Sequence, residues 1–162
     1  MSDRYAAEHG IPSSPLCSRS DEILLSFDGR FLTMHGPNGR SYSAASGRPS
    51  NGRSFDYSPS RYRLSSEGPI PPGRYWINPS QTWTNHWYNV ASRDAWGDHR
   101  VTIHVYPGTE TYGRGGFFIH GGTHPGSAGC INLHSGMEDF VRELNSTLGS
   151  SPDCYIPLMV KY

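Results

Sequence analysis

Glycine and proline impose the first constraint on this chain. Its 162 residues include 19 Gly and 13 Pro, together about a fifth of the length and well above ordinary usage. Gly raises the entropic cost of ordering a helix, and Pro removes a backbone donor and fixes φ. Long helices are therefore excluded for most of the sequence, and short strands joined by tight turns are expected. The length is that of one domain. A domain of this size buries roughly 70% of its unfolded surface, enough to fold without a metal or disulfide staple.

The hydrophobic pattern places the elements. Residues 1–21 are mostly polar and read as a poorly ordered arm ahead of a domain spanning 22–162. Residues 23–34, ILLSFDGRFLTM, carry Asp28-Gly29 between two apolar runs, which predicts a hairpin with a two-residue turn. A second turn is expected at Gly36-Pro37-Asn38-Gly39. Residues 43–68 are rich in Ser, Arg, Gly and Pro but hold Phe55, Tyr57 and Tyr62, the pattern of a long functional loop anchored by aromatics. Pro69 to Gly73 reads as a rigid turn and Arg74 to Ile77 as a strand. Residues 81–96, with Trp83, Trp87, Tyr88 and Trp96, read as a loop over the core or a cleft wall. Val101 to Tyr106, Phe117 to Ile119 and Tyr155 to Lys161 have strand patterns. The one convincing helix has a Ser135/Glu138 capping-box pattern ahead of Met137, Phe140, Val141, Leu144 and Leu148, and Gly149 ends it. The fold class is mostly β, a sandwich or partial barrel with one packed helix.

Charge and hydropathy exclude some functions. Lys and Arg number 14 and Asp and Glu number 14, whereas a general nucleic-acid binder needs a basic excess to displace counterions. Apolar runs such as Ile23-Leu24-Leu25 are too short for a membrane-spanning helix. The opening MSDRYAAEHGIPSSPL has acidic residues and no apolar core, so no secretory signal peptide is expected there. Lys161 is the only lysine, and the segment from Arg30 to Arg74 holds seven Arg against Asp56 and Glu67. Guanidinium forks suit carboxylate recognition, but a solvated basic face explains the same run.

Three cysteines, Cys17, Cys130 and Cys154, leave at least one thiol free. Cys17 and Cys154 could pair and leave Cys130 alone, or all three could stay reduced. The segment richest in reactive groups is 117–134, FFIHGGTHPGSAGCINLH. A buried strand delivers His120 to its end, a Gly- and Pro-rich turn follows, and the chain reaches Cys130. An imidazole beside a thiol can take its proton and make the nucleophilic thiolate. Gly129 allows close backbone approach, and the amides around Ala128, Gly129 and Cys130 are candidates to meet a developing oxyanion. A His and a Cys at this spacing equally fit a structural imidazole and a small buried thiol.

Ser127-Ala128-Gly129-Cys130-Ile131-Asn132 resembles the motif of YkuD-type L,D-transpeptidases: a His, a spacer, then Ser/Thr-His-Gly-Cys-hydrophobic-Asn. The hairpin at 23–34 with Ser46-Gly47-Arg48, the segment Pro71 to Ile77, and Phe118-Ile119-His120-Gly121 resemble further pieces in the same order. Two departures stand out. Ala128 replaces the family's second His, and the spacer from His120 to Ser127 is short. Both fit the narrower group of L,D-transpeptidase effectors delivered by type VI secretion, which the string from Ile119 to Ile131 resembles.

The resemblance implies a fold, a YkuD-like β-sandwich or partial barrel, and a substrate, the tetrapeptide stem of peptidoglycan. The Cys130 thiolate would attack the carbonyl of meso-diaminopimelate, releasing D-Ala and forming a thioacyl-enzyme. Water then gives L,D-carboxypeptidase activity, and a D-amino acid acceptor gives exchange. His120 maps onto the base, Gly121 onto the position that orients it, and Ser127 and Asn132 onto the motif's supporting positions. No cofactor is implied. Secretion machinery, a cognate immunity protein and delivery to the periplasm of a target bacterium are implied.

Other residues carry weaker expectations. His124 could contact substrate or stand in for the missing second His. Arg114 could meet a stem carboxylate. Trp83, Trp87 and Trp96 could line a groove or act as packing anchors. Two rival functions remain at this level. His120, His124, Cys130 and His134 are plausible zinc ligands for a hydrolase. A non-catalytic wall-binding module would instead use the aromatic loops and the Arg-rich stretch.

Overall fold

The computed structural model describes residues 10–17, 23–36, 39–50, 54–84, 99–122, 127–149 and 153–162. In chain order these form β1 (Leu24–Phe27), β2 (Phe31–His35), β3 (Arg40–Ser43), β4 (Ala45–Gly47), the single-turn α1 (Pro59–Tyr62), β5 (Gly73–Thr84), β6 (His99–Val105), β7 (Phe118–His120), β8 (Ser127–Asn132), a 3-10 turn (His134–Gly136), α2 (Met137–Leu148) and β9 (Ile156–Val160). No helix among them is long and apolar enough to cross a membrane.

All nine strands join one sheet in the order β3-β2-β1-β9-β5-β6-β7-β8-β4. The two edge strands, β3 and β4, are separated in sequence only by Ala44. A flat nine-stranded sheet would put its edges tens of ångströms apart, so the sheet must curl until they meet. The partial barrel is the form that appears, built from one sheet, not two. Two pairings are parallel, β1 with β9 and β7 with β8. The rest are antiparallel.

Strand alternation sorts the side chains. Leu25, Phe27, Leu32, Met34, Tyr42, Tyr75, Ile77, Val101, Ile103, Val105, Ile119, Ile131, Ile156, Leu158 and Val160 all face inward and are buried. Met137, Phe140, Val141 and Leu144 of α2 fill the concave side against them. Phe140 meets Tyr42 edge to face, with ring centroids 5.4 Å apart. The residues between the inward ones, at positions such as Trp76, Thr102, His104, His120 and Asn132, point outward yet are also buried. The central strands are therefore covered on both faces.

The hairpin forms where expected, with its turn one residue later. Asp28 N–H donates to Phe31 O, which centres the turn on Gly29 and Arg30. Asp28 Oδ1 accepts both the Arg30 and Phe31 N–H groups at 2.8 Å. Those bonds, led by that from Phe31, hold its carboxyl below the ordinary range. Gly29 sits at φ 94°, the left-handed region.

Three expectations need correction. First, β5 runs on to Thr84 through an irregularity between Ile77 and Thr82, so 81–84 are strand rather than loop. Residues 85–98, with Trp87, Tyr88 and Trp96, lie outside the described residues. Second, α2 has no side-chain N-cap bond. The 3-10 turn at His134–Gly136 leads into it, so the Ser135/Glu138 box does not form. Third, part of the expected arm is docked. Gly10 N–H donates to Val105 O at 2.8 Å and Trp76 Nε1 donates to Gly10 O at 3.0 Å. Leu16 bridges Tyr155, and Cys17 is disulfide-bonded to Cys154. Residues 1–9 and 18–22 lie outside the described set.

The disulfide closes a span of 137 residues, and in the chain-entropy account such a closure stabilises by about 2–5 kcal/mol. Melting the protein with and without reductant is expected to show a Tm lower by at least ~5 °C in the reduced form. Cys17→Ser/Cys154→Ser should melt with the reduced protein and be insensitive to reductant. Equal Tm values for all forms would remove the staple from the account of stability.

Candidate active site

The site is a product of register. β7 and β8 run parallel with Ile119 opposite Ile131 and His120 opposite Asn132. Ile119 and Ile131 point into the core, so His120, Asn132 and Cys130 point to the opposite, outer face. Cys130 lies on the strand next to His120, offset by one pleat, with both side chains on one side of the sheet. Both are buried, His120 at 3% and Cys130 at 8% exposure. Cys130 is the free cysteine, the other two being paired. Of the two alternatives in the cysteine pattern, the structure has the Cys17–Cys154 pair.

His120 is held in one tautomer. Its Nδ1 lies 2.6 Å from Gly121 O. A carbonyl only accepts, so in the neutral ring Nδ1 carries the proton and Nε2 keeps its lone pair. Burial is the main reason its pKa falls to about 4; the bond to Gly121 opposes the fall, and His134 and Arg100 add to it. At neutral pH the ring is an uncharged acceptor. Gly121 O is thus the group that fixes the ring's tautomer. A Cβ on Gly121 would lie 2.9 Å from His134 O, so the residue is also confined by the 3-10 turn.

The Cys130 strand is pinned from beneath. Gly129 has φ 72°, and a Cβ there would lie 2.9 Å from the Phe117 ring and 3.1 Å from Arg114 Nη2. Gly129 N–H donates to Gly68 O at 2.9 Å. The Gly129 amide is therefore engaged, which corrects the expectation that it faces an oxyanion. Asn132, fully buried, accepts the His134 N–H at 2.8 Å through Oδ1 and so braces the 3-10 turn after β8. Ala128 is half-buried beside these residues, and Ser127 pairs with Gly47 at the start of β8.

Arg114 is not a surface arginine and does not reach outward for a carboxylate. Only 7% exposed, it donates from Nη1 to Tyr62 O and Pro69 O at 2.6 and 2.7 Å, and from Nη2 to Gly68 O at 2.8 Å. Three carbonyls of the 62–69 segment consume the fork. The segment 54–69 is thereby strapped under the cysteine strand, with Tyr57 and Tyr62 packed on Tyr162; the expected 43–68 loop is corrected, since 45–47 form β4 and 59–62 form α1. Gly68 permits the approach, since a Cβ there would fall 1.9 Å from Arg61 O.

Register also reveals a residue the sequence left unassigned. Trp83 pairs with Arg100, Arg100 with His120, and His120 with Asn132. These four form one row across the outer face. Arg100 lies with its guanidinium carbon 4.9 Å from the Phe118 ring centroid. The alternation in 99–105 places Arg100, Thr102 and His104 on one face, but nothing local names the strand beside them. Trp83 is half-buried and donates from Nε1 to Thr102 at 2.9 Å. Trp87 and His124 lie outside the described residues. Among the described residues no three His, Cys, Asp or Glu side chains converge as a metal ion requires, and His120, Cys130 and His134 do not form such a set.

The depressed His120 value has a stability consequence. The unfolded imidazole protonates near 6.5, the folded one only near 4, so as pH falls through this window the unfolded state takes up the proton first. Stability is unaffected above about pH 6.5 and is lost between there and pH 4, by roughly 3 kcal/mol. Buried His104, whose pKa burial also lowers, adds in the same direction. Denaturant titrations from pH 7 to 4 are expected to show this decline, flattened in His120→Gln. A His120→Gln profile parallel to wild type would mean the buried ring does not titrate as argued.

No curated protein matches the chain. The structure of Bdellovibrio bacteriovorus Bd1075 superposes with a TM-score of 0.50 at 16% identity, covering 93% of this chain and 53% of that one. Mycobacterium tuberculosis L,D-transpeptidase 1 superposes with a TM-score of 0.42 at 16% identity, over 86% of this chain and 62% of that one. For an L,D-transpeptidase from Mycobacterium smegmatis the values are 0.42, 16%, 88% and 59%. The chain thus spans only a little over half the length of these proteins, and the likeness to Bd1075 is one of fold alone. Residues 46–152, well over half of the chain, match the Tlde1 domain, and the chain belongs to that family, the L,D-transpeptidase effectors of type VI secretion.

Proposed function

We propose that this chain is a cysteine L,D-carboxypeptidase and L,D-transpeptidase acting on the tetrapeptide stems of peptidoglycan. The observation that carries the reading is the β7–β8 register, which sets the free thiol of Cys130 beside a neutral His120 whose Nδ1 is tied to Gly121. That arrangement supports Cys130 as nucleophile, His120 as base and Gly121 as the group that orients the base.

In the proposed reaction His120 Nε2 takes the Cys130 proton and the thiolate attacks the carbonyl carbon between meso-diaminopimelate and D-Ala. The tetrahedral intermediate collapses, the C–N bond breaks, and the proton held by His120 passes to the departing D-Ala amine. The product is a thioester on Cys130. Water cleaves it to a tripeptide stem, or the amine of a D-amino acid replaces D-Ala. Either outcome removes donor stems and weakens the wall, as an antibacterial toxin would.

The proposed place of action is the periplasm of a target bacterium, reached through the producing cell's secretion machinery, with a cognate immunity protein protecting the producer. The Cys17–Cys154 disulfide supports an oxidising destination.

Mass spectrometry of muropeptides tests the reading. Wild type is expected to convert tetrapeptide to tripeptide, and added D-Met is expected to appear in place of D-Ala. Cys130→Ala should lose conversion by at least about 10³-fold while keeping the wild-type Tm within a few degrees. Unchanged muropeptides with folded wild-type protein, or full conversion by Cys130→Ala, would sink the cysteine assignment.

A further inference from the structure

The seam of the barrel carries a pocket that no step of the proposed reaction uses. It is an open cavity of about 400 Å³, lined by Arg30 and Phe31 of the first hairpin, Ser43 and Ala45 at the two sheet edges, Phe55, and His134 of the 3-10 turn. These residues come from opposite ends of the strand order. They meet because β3 and β4 are one residue apart in sequence.

Register ties this pocket to the candidate site. Ala45 pairs with Asn132 and Asn132 with His120, so Ala45 extends the outer-face row that holds His120. Strand spacing puts Asn132 about 5 Å and Ala45 about 10 Å from His120 along that row. Across the seam Ser43 pairs with Phe31. Their chain neighbours Tyr42, Ala44 and Leu32 all belong to the core, so Ser43, Ala45 and Phe31 share the outer face. Phe31 is 46% exposed there. His134 joins pocket and row, since its N–H donates to Asn132 Oδ1 at 2.8 Å and its charge bears on His120. Its φ of 52° lies in the left-handed region, a costly backbone state for a residue with a Cβ and one that concentrates at functional sites.

The lining has two chemical halves. Phe31 and Phe55 are large apolar rings, which favour an apolar side chain by removing it from water. Arg30 is the permanent cation among the lining residues, and none of them is acidic. Asp28 stands close enough for its charge to feel Arg30, but its Oδ1 already accepts the Arg30 and Phe31 N–H groups. A guanidinium recognises a carboxylate by charge and by paired donors. A small molecule that carries both a carboxylate and an apolar chain matches both halves, and a free amino acid with a long apolar side chain is such a molecule.

We propose that the seam pocket is the subsite for the acceptor amino acid, and that Phe31 and Phe55 make exchange select D-amino acids with long apolar side chains over D-Ala. The inference rests on the thioester reading above. In the exchange step the acceptor's neutral amine attacks the thioester carbonyl carbon. A C–N bond forms and the C–S bond breaks. His120 Nε2 takes the amine proton and returns it to the Cys130 sulfur. The acceptor's amine therefore lies beside His120 while its side chain extends past Asn132 toward Ala45 and the rings. A side chain as long as that of Met reaches them; the methyl of D-Ala does not. Arg30 meets the carboxylate that every acceptor carries, so it contributes to all of them alike.

The test compares two acceptors on one donor. The full chain with its disulfide intact is incubated with tetrapeptide muropeptide and increasing D-Met or isotope-labelled D-Ala, and exchange is followed by mass spectrometry. Wild type is expected to show kcat/KM for D-Met at least about tenfold above that for D-Ala. In Phe31→Ala and Phe55→Ala, each checked by thermal melting, that preference should fall toward one. Arg30→Gln should lower kcat/KM for both acceptors by the same factor, about tenfold. A preference that survives in folded Phe31→Ala and Phe55→Ala overturns the proposal, and no loss in Arg30→Gln overturns the carboxylate contact. A wild type that takes D-Ala as readily as D-Met overturns it without any variant. If wild type converts no tetrapeptide at all, the reaction assigned above fails, and binding decides the pocket. D-Met is then titrated into wild type with isotope-labelled phenylalanine. Saturable shifts of the Phe31 and Phe55 ring signals, absent with D-Ala, keep the amino-acid site; unmoved rings remove it.

Discussion

A single residue, Ala44, separates the two edges of the nine-stranded sheet, and the rest of the architecture depends on that. The chain leaves β3 at one edge and within one residue begins β4 at the other. The sheet therefore has to curl, which gives it an inside for α2 and the apolar side chains and an outside for everything else. It also places β8 between β7 and β4, so the cysteine strand is paired on both sides. A side chain on a doubly paired strand is held more firmly than one on an edge or a loop.

The outer face of the central strands shows how a chain this rich in glycine makes a rigid site. Glycines at 47, 68, 121 and 129 are points of close backbone approach, where an added Cβ would meet neighbouring atoms at 3 Å or less. Two of them, Gly68 and Gly129, bond directly, and Arg114 joins them. The composition that excludes long helices is thus also what lets a loop lie flat beneath the cysteine strand.

Burial acts differently on the two buried bases of this region. His120 is neutral because burial penalises its charge, and Arg114 is charged because a guanidinium cannot readily lose its proton. Arg100, in the same row as His120 and packed on Phe118, adds a third group whose charge bears on the imidazole.

The chain itself determined its mostly β class, through Gly and Pro content and period-two alternation, and the hairpin around Asp28, through its turn residues. The helix face of Met137, Phe140, Val141 and Leu144 was also readable, as was the dense segment holding His120, Gly121, Cys130 and Asn132. These rest on interactions local in sequence. Tertiary structure decided the rest, since it depends on which distant segments meet. The Ser135/Glu138 box looked like a cap, but the 3-10 turn braced by Asn132 took its place. Arg114 looked like a carboxylate receptor until three carbonyls from 45–52 residues away claimed it. The row from Trp83 through Arg100 to His120 exists only because β5, β6 and β7 are neighbours. Local pattern fixes which face a side chain points to; only strand order and register fix what stands beside it.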